Sequence, residues 1–305
     1  MSPPRSRGAG RTGFRIAPGW WFVAPALLLI VVFFAGPVLA AIGLSFTDFD
    51  LYALADPSAA RWVGLRNYAR VLHEPLFWQA LQNTLYFAVV GGPLTIAASL
   101  GAALLVNARA IRWKSTARTV FFAPFVTTLV AVAIVWRYLY HPRYGLLNYL
   151  LGLVHVAPID WLGNPHWAMP AIILMATWKN FGYNMLICIA GLQSIPRELY
   201  EAAALDGASA WQRFRHVTLP MLAPTLFFVV IVTMIGYLQL FTEPYVMTQG
   251  GPLRATTSLV LYMYEEGFRW WRLGVAAAIA FLLFVLIVAF TVAQRWLSPR
   301  GAAGA

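Results

Sequence analysis

Long apolar runs alternate with short polar stretches along this chain, on a scale too coarse for the periodicity of a soluble helix or strand. Six runs stand out: about Trp20 to Phe46, Ala80 to Val106, Thr119 to Tyr140, Trp167 to Leu192, Pro220 to Thr242 and Leu273 to Gln294. Each matches the roughly 20 residues that carry an α-helix across a hydrocarbon core about 30 Å thick. Every backbone N–H and C=O must be paired within the segment in that medium, so the runs predict helices. The fold class expected is all-α integral membrane, with six transmembrane helices. Gly91-Gly92-Pro93 marks a place for a bend in the second run. Trp136, Tyr138 and Tyr140 close the third, at a level where aromatic side chains meet headgroups.

The polar stretches divide the chain. Residues 1–19, rich in Pro, Gly, Ser and Arg, predict a disordered basic tail. Residues 20–79 hold the first span and a loop of mixed charge, residues 80–294 the core of the domain, and residues 295–305 a second tail. A basic start followed by Val38-Leu39-Ala40-Ala41 also allows a cleaved leader, but the first run is longer than a leader's apolar region. Between His141 and His166, the apolar stretch Tyr144 to Leu151 is too short to span and predicts a helix lying in the interface, followed by Trp161-Leu162-Gly163-Asn164-Pro165.

Composition agrees: of 305 residues, 60% are hydrophobic and 11% charged, and the mean hydropathy is +0.68. The single cysteine, Cys188, excludes an internal disulfide or a cysteine metal cluster. A net charge of +11 would suit a nucleic-acid partner if it were clustered. It is distributed by topology instead. Six spans put both termini on one side. That side carries Arg5, Arg7, Arg11, Arg15, Arg109, Arg112, Lys114, Arg118, Arg197, Arg213, Arg215, Arg295 and Arg300 against Glu198, Glu201 and Asp206. The opposite loops carry 8 basic residues against 8 acids, which makes the first side cytoplasmic, both termini included. Nucleic acid drops out.

Catalytic chemistry is missing. The chain has two lysines, and Lys114-Ser115 follows Trp113 where a phosphate loop needs glycine. The five histidines are scattered without metal spacing. The reading is a non-enzyme that holds no cofactor or metal and takes its energy from a partner or an ion gradient.

Residues 193–219 form a polar island between the fourth and fifth runs. Pro196 and Glu198 suit the start of a helix near Ile195, which runs through Ala202, Ala203 and Ala204 to Gly207, the residue that takes a left-handed turn without strain. Ser209 and Gln212 have capping-box spacing for a second short helix, and Pro220 opens the fifth run. The spacing Glu201-Ala202-Ala203, Gly207, Val217, Leu219-Pro220 resembles the "EAA" loop of ABC importer permeases. That resemblance implies that Glu201, Ala202, Ala203, Asp206, Gly207, Arg213, Leu219 and Pro220 couple the chain to a cytoplasmic ATPase. ATP and magnesium would be bound by that partner. Val217 stands where the family usually has isoleucine.

Two further stretches narrow the resemblance. Gly145 and Asn148 with the Trp161-Leu162-x-x-Pro165 turn look like sugar-importer permeases. Gly250-Gly251-Pro252 with Thr256-Thr257 and Tyr262-Met263-Tyr264 is similar to the outer loop of the maltose and glycerol-phosphate type. This implies a sugar, oligosaccharide or polyol as cargo, a second non-identical six-span permease, two ATPase subunits, an extracytoplasmic solute-binding protein and a place in the bacterial-type cytoplasmic (inner) membrane. Lys179 lies about 18 Å into the fourth run, with Trp178, Asn180, Tyr183 and Asn184 around it; Thr233, Tyr237 and Gln239 lie on the fifth. Aromatic faces and amides of this kind suit a sugar, and the resemblance implies a path between the two helices. For each residue the alternative is packing, snorkelling or a contact with the partner subunit. Glu243 reads as a loop charge or docking contact. An ion-coupled secondary transporter is the rival function, but it wants an acid at midplane, and none lies in the six runs.

Overall fold

Pro75, and not Ala80, starts the second span, and most other ends shift by five residues or fewer, the start of the fifth span excepted. In a computed structural model, which describes residues 19–56, 58, 60–108 and 112–297, five helices are long and apolar enough to cross a membrane. They are Phe22–Ser45, Pro75–Asn107, Pro165–Gln193, Ala210–Leu238 and Leu273–Trp296. A pair of apolar helices, Lys114–Val126 and Leu129–Leu139, bent by 96° at the break between them, occupies the third run and brings the number to six where the pair is taken as one span. The described residues contain no strand, only one bridge between Thr47 and Trp62. The expected basic tail up to residue 18 and the end beyond residue 297 lie outside the described residues.

The third run is therefore not the straight span its hydropathy suggested. Thr127 and Thr128 adopt extended backbone, and the Thr127 hydroxyl donates to Pro124 O at 2.6 Å. A hydroxyl that bonds nearby backbone competes with the helix ladder. The first half-helix packs on the fourth span at Gly182, where a Cβ would come 1.9 Å from Phe121 O. Only a residue without a side chain permits that approach.

Prolines shape three other spans. Pro37, Pro93 and Pro220 each stand second in an α-segment that follows a wider π turn, at Val31–Ala35, Phe87–Gly91 and Phe214–Thr218. Proline lacks an N–H and crowds the carbonyl four residues back. In each case that carbonyl lies inside the wider turn, so the helix continues. The consequence at Pro220 is a correction: the second short helix expected after Ser209 is no separate element. Its four residues Ala210–Arg213 run through the π turn into the fifth span, giving one helix of 29 residues.

The core lies where the second, fourth and fifth spans meet the half-helix Leu129–Leu139. Phe87, Trp136, Tyr140, Ile172, Met175, Tyr237 and Leu238 pack there. A second cluster joins Ala103, Val106, Met185, Cys188 and Leu222, and a third joins Val71, Phe77, Tyr262 and Ile279. The first span buries none of its most apolar stretch. Lipid tails are as apolar as its side chains, so that exposure is cheap in a bilayer.

Candidate functional site

A cavity of about 400 Å³ opens between the fourth and fifth spans. Its walls are Asn180, Tyr183 and Asn184 from the fourth span and Val232, Thr233, Gly236 and Tyr237 from the fifth. Phe125 and Leu129 flank it from the broken third span, Phe87 from the second, and Gln239 to Glu243 close one end. Six of the eight residues picked for a substrate path thus share one space. Asn184 Nδ2 donates to Thr233 Oγ1 at 2.8 Å, tying the two spans together. Tyr237 OH and Thr95 Oγ1 lie 2.6 Å apart, and Thr95 Oγ1 donates to Thr177 Oγ1 at 3.1 Å. Tyr183 stacks on Phe125 with ring centroids 4.5 Å apart.

The other two residues lie elsewhere. Trp178 is half-exposed and packs against Trp136. Lys179 is buried, and its ammonium donates to Pro124 O, Phe125 O and Thr127 O at 3.3, 3.2 and 3.0 Å. These are carbonyls that the end of a half-helix leaves without N–H partners. The one charge in mid-span caps the break beside the cavity and does not line it.

Glu243 is a correction in the opposite sense. Instead of an ordinary loop charge, it is a buried residue in the cavity wall. Burial raises its carboxyl pKa above the usual range, while its own backbone N–H and the Lys179 ammonium act to lower it. A lone acid between Phe241 and Pro244, directly after an apolar run, was the signal in the sequence. The cavity offers amide, hydroxyl and carboxyl groups on aromatic walls, which is binding chemistry. Among the described residues no group of three His, Cys, Asp or Glu is placed to hold a metal.

Residues 197–213 form a knuckle at the other end of the fifth span. The helix Arg197–Leu205 starts after Pro196, which stands as its cap and not in its first turn. Gly207 has φ +76°, with Gly207 N donating to Ala204 O and Ala208 N to Ala203 O, the paired bonds of a Schellman turn. The capping box between Ser209 and Gln212 forms in both directions. Tyr200 OH and Thr218 Oγ1, 3.0 Å apart, stitch the short helix to the base of the fifth span. Glu201, Ala202 and Asp206 face outward, Ala203 and Arg213 are half-buried, and Leu219 and Pro220 are exposed.

The Gly250-Gly251-Pro252 turn is knotted by hydroxyls. Thr257 Oγ1 donates to Gly250 O and Thr256 Oγ1 to Gly251 O. Asn83 of the second span donates to Arg254 O and Thr257 O, both at 2.9 Å. Asn148 organises the loop before the fourth span: it donates to Pro142 O and Ile159 O and accepts from Ile159 N and Trp161 Nε1.

Known proteins are similar to this chain. The chain is 39% identical over 280 residues to the lactose transport system permease protein LacF of Rhizobium radiobacter, covering 90% of this chain and 92% of that protein. It is 36% identical over 274 residues to the trehalose/maltose transport system permease protein MalF of Thermococcus litoralis, covering 90% and 91%. Among solved structures, a bacterial ABC transporter involved in the import of the acidic polysaccharide alginate superposes with a TM-score of 0.76 at 23% identity, over 92% of this chain and 94% of that one. Residues 95–302 match the family described as the binding-protein-dependent transport system inner membrane component. With two thirds of its length inside that match and such relatives along nearly all of it, the chain belongs to the family of binding-protein-dependent transport system inner membrane components.

Proposed function

We propose that this chain is the conduit subunit of an ATP-driven importer for sugars, oligosaccharides or polyols. In this reading it pairs with a second, non-identical six-span permease and works with two ATPase subunits and an extracytoplasmic solute-binding protein. Both termini and the 197–213 knuckle face the cytoplasm, and ATP with its magnesium is held by the ATPases alone. The observation that carries the proposal is one helix with a working surface at each end. Ala210–Leu238 begins in the knuckle and reaches the cavity wall at Thr233 and Tyr237, about 35 and 41 Å along its axis. A displacement imposed near Arg213 is therefore delivered to the cavity without a flexible joint.

The surface at the knuckle suits a protein partner. Leu205 and Trp211 are 89% and 66% exposed, and Arg213 Nε is buried without a hydrogen-bond partner among the described residues. At the cavity end, aromatic rings and amides suit a polyhydroxylated ring. Relatives named for lactose, trehalose/maltose and sulfoquinovosyl glycerol transport support that class of cargo. ATP binding shifts the equilibrium between inward and outward states only by its differential affinity for them.

Purification of the tagged chain from its native membrane in mild detergent tests the reading. A nucleotide-binding subunit and a second six-span chain are expected with it. Gly207→Val places a β-branched residue at φ +76°, a strain of about 1–3 kcal/mol, and should lower ATPase recovery while leaving membrane insertion intact. Recovery of the chain alone, in a preparation that retains transport, would overturn the proposal.

A further inference from the structure

A second cavity, of about 320 Å³, shares no lining residue with the first and lies where the first span ends and the sixth begins. Thr47, Asp48, Phe49, Asp50, Arg66, Asn67, Arg70 and Arg272 are among its lining residues. The local chain is clamped in place. Asn67 Nδ2 donates to Ser45 O and Thr47 O at 2.9 and 2.7 Å, Gly274 N donates to Phe49 O at 2.9 Å, and Asp48 N donates to Arg61 O.

Its charges are arranged by sign. Arg66 and Arg70 stand one turn apart on the helix Arg66–His73, and neither is in an ion pair among the described residues. Arg272 adds a third guanidinium, 3.4 Å from Glu266. Asp48 accepts Arg61 N through Oδ1, and Asp50 accepts Tyr52 N and Ala53 N through Oδ1. Among the described residues, the second oxygen of each carboxylate has no hydrogen-bond partner. Guanidinium forks match phosphate oxygens, and a carboxylate oxygen accepts from a primary ammonium. Position selects between a free ion and a lipid: the cavity joins the polar ends of Phe22–Ser45 and Leu273–Trp296, the depth at which headgroups lie.

We propose that this cavity binds the headgroup of a zwitterionic phospholipid bearing a primary ammonium, as in phosphatidylethanolamine. The phosphate sits against Arg66 and Arg70, and the ammonium sits against Asp48 and Asp50. A lipid held there would add to the packing that already joins the end of the first span, Gly36–Ser45, to the sixth.

Native mass spectrometry of the delipidated importer complex tests this, with dioleoyl phosphatidylethanolamine, phosphatidylcholine and diacylglycerol as probes and inorganic phosphate as competitor. Phosphatidylethanolamine should be retained most and diacylglycerol least. Arg66→Gln with Arg70→Gln keeps helix-forming residues and should lower its occupancy about tenfold or more, the loss of one or two charge-assisted bonds. Asp48→Asn with Asp50→Asn keeps an acceptor at each Oδ1 position and should erase the preference over phosphatidylcholine, whose ammonium has no N–H, without releasing either lipid. Either double variant is read beside thermal unfolding to show that the fold is intact. Equal retention of diacylglycerol, an unchanged occupancy in the arginine variant, or phosphate binding without lipid binding would overturn the proposal.

Discussion

Replacing Lys179 with methionine isolates what holds the third span in two pieces. Methionine keeps most of the side-chain volume and removes only the ammonium, which is 6% exposed as a residue and donates to three carbonyls at 3.0–3.3 Å. A hydrogen bond from a charged donor contributes about 1.5–3 kcal/mol, so the three set a ceiling near 9 kcal/mol. Two effects reduce it. Returning the burial cost of the ammonium offsets several kcal/mol, and Phe125 and Thr127 are exposed enough for water to replace part of the loss. The expected net is about 2–4 kcal/mol of local stability at the break. Hydrogen exchange of peptides spanning residues 114–139 in the purified complex reads this directly. Opening should become about 30- to 900-fold easier, with the first span unaffected. Lys179→Arg, which still donates, should recover most of the protection. Exchange within about threefold of wild type in Lys179→Met, in a folded complex, would refute the capping role.

Three further outcomes follow from single contacts. Gly182→Ala puts a Cβ 1.9 Å from Phe121 O. It should separate the half-helix from the fourth span at a cost of about 3 kcal/mol or more, seen as a lower melting temperature and lost transport. Asn148→Leu removes four hydrogen bonds and leaves Trp161 Nε1 and Ile159 O unpaired. Limited proteolysis between residues 141 and 165 should accelerate while the spans stay protected. Glu243 has a folded-state pKa raised by burial, so folding favours its protonated form relative to the unfolded chain. The stability this gives is complete below the ordinary carboxyl value of 4.5 and is lost as pH rises through the folded value. Glu243→Gln should therefore flatten the decline of melting temperature above pH 4.5, and an unchanged slope would count against burial of the charge.

Legibility in the sequence follows separation along the chain. The knuckle was readable because its bonds are local: Gly207 to Ala204, Ala208 to Ala203, Ser209 to Gln212. Residue type and spacing alone decide such bonds. The six runs were readable because burial in lipid needs only length and apolarity. Hydropathy cannot tell a straight run from a broken one, so the break at Thr127 and Thr128 was missed. The available signals were Pro124 inside the run and two hydroxyl-bearing β-branched residues behind it. Likewise Pro220 read as a helix start, because nothing in the sequence announced the π turn that lets the helix pass through it.

Lys179 marks the limit of such reading. A charge in mid-span demands polar company, and the sequence supplied that much. Which company depended on carbonyls 52 to 55 residues earlier in the chain, exposed only because the third span breaks. Two inferences had to be joined, and the first of them was invisible. The same dependence explains why Asn180, Tyr183 and Asn184 were readable while Phe125 and Leu129 were not. The first three lie on the face the fourth span turns to the fifth; the other two reach the cavity through the bend that Lys179 stabilises. The cap and the cavity are therefore one structure. A change in the third span's bend moves Phe125 against Tyr183, a ring stacked 4.5 Å away, so residues outside the cavity wall set the cavity's width.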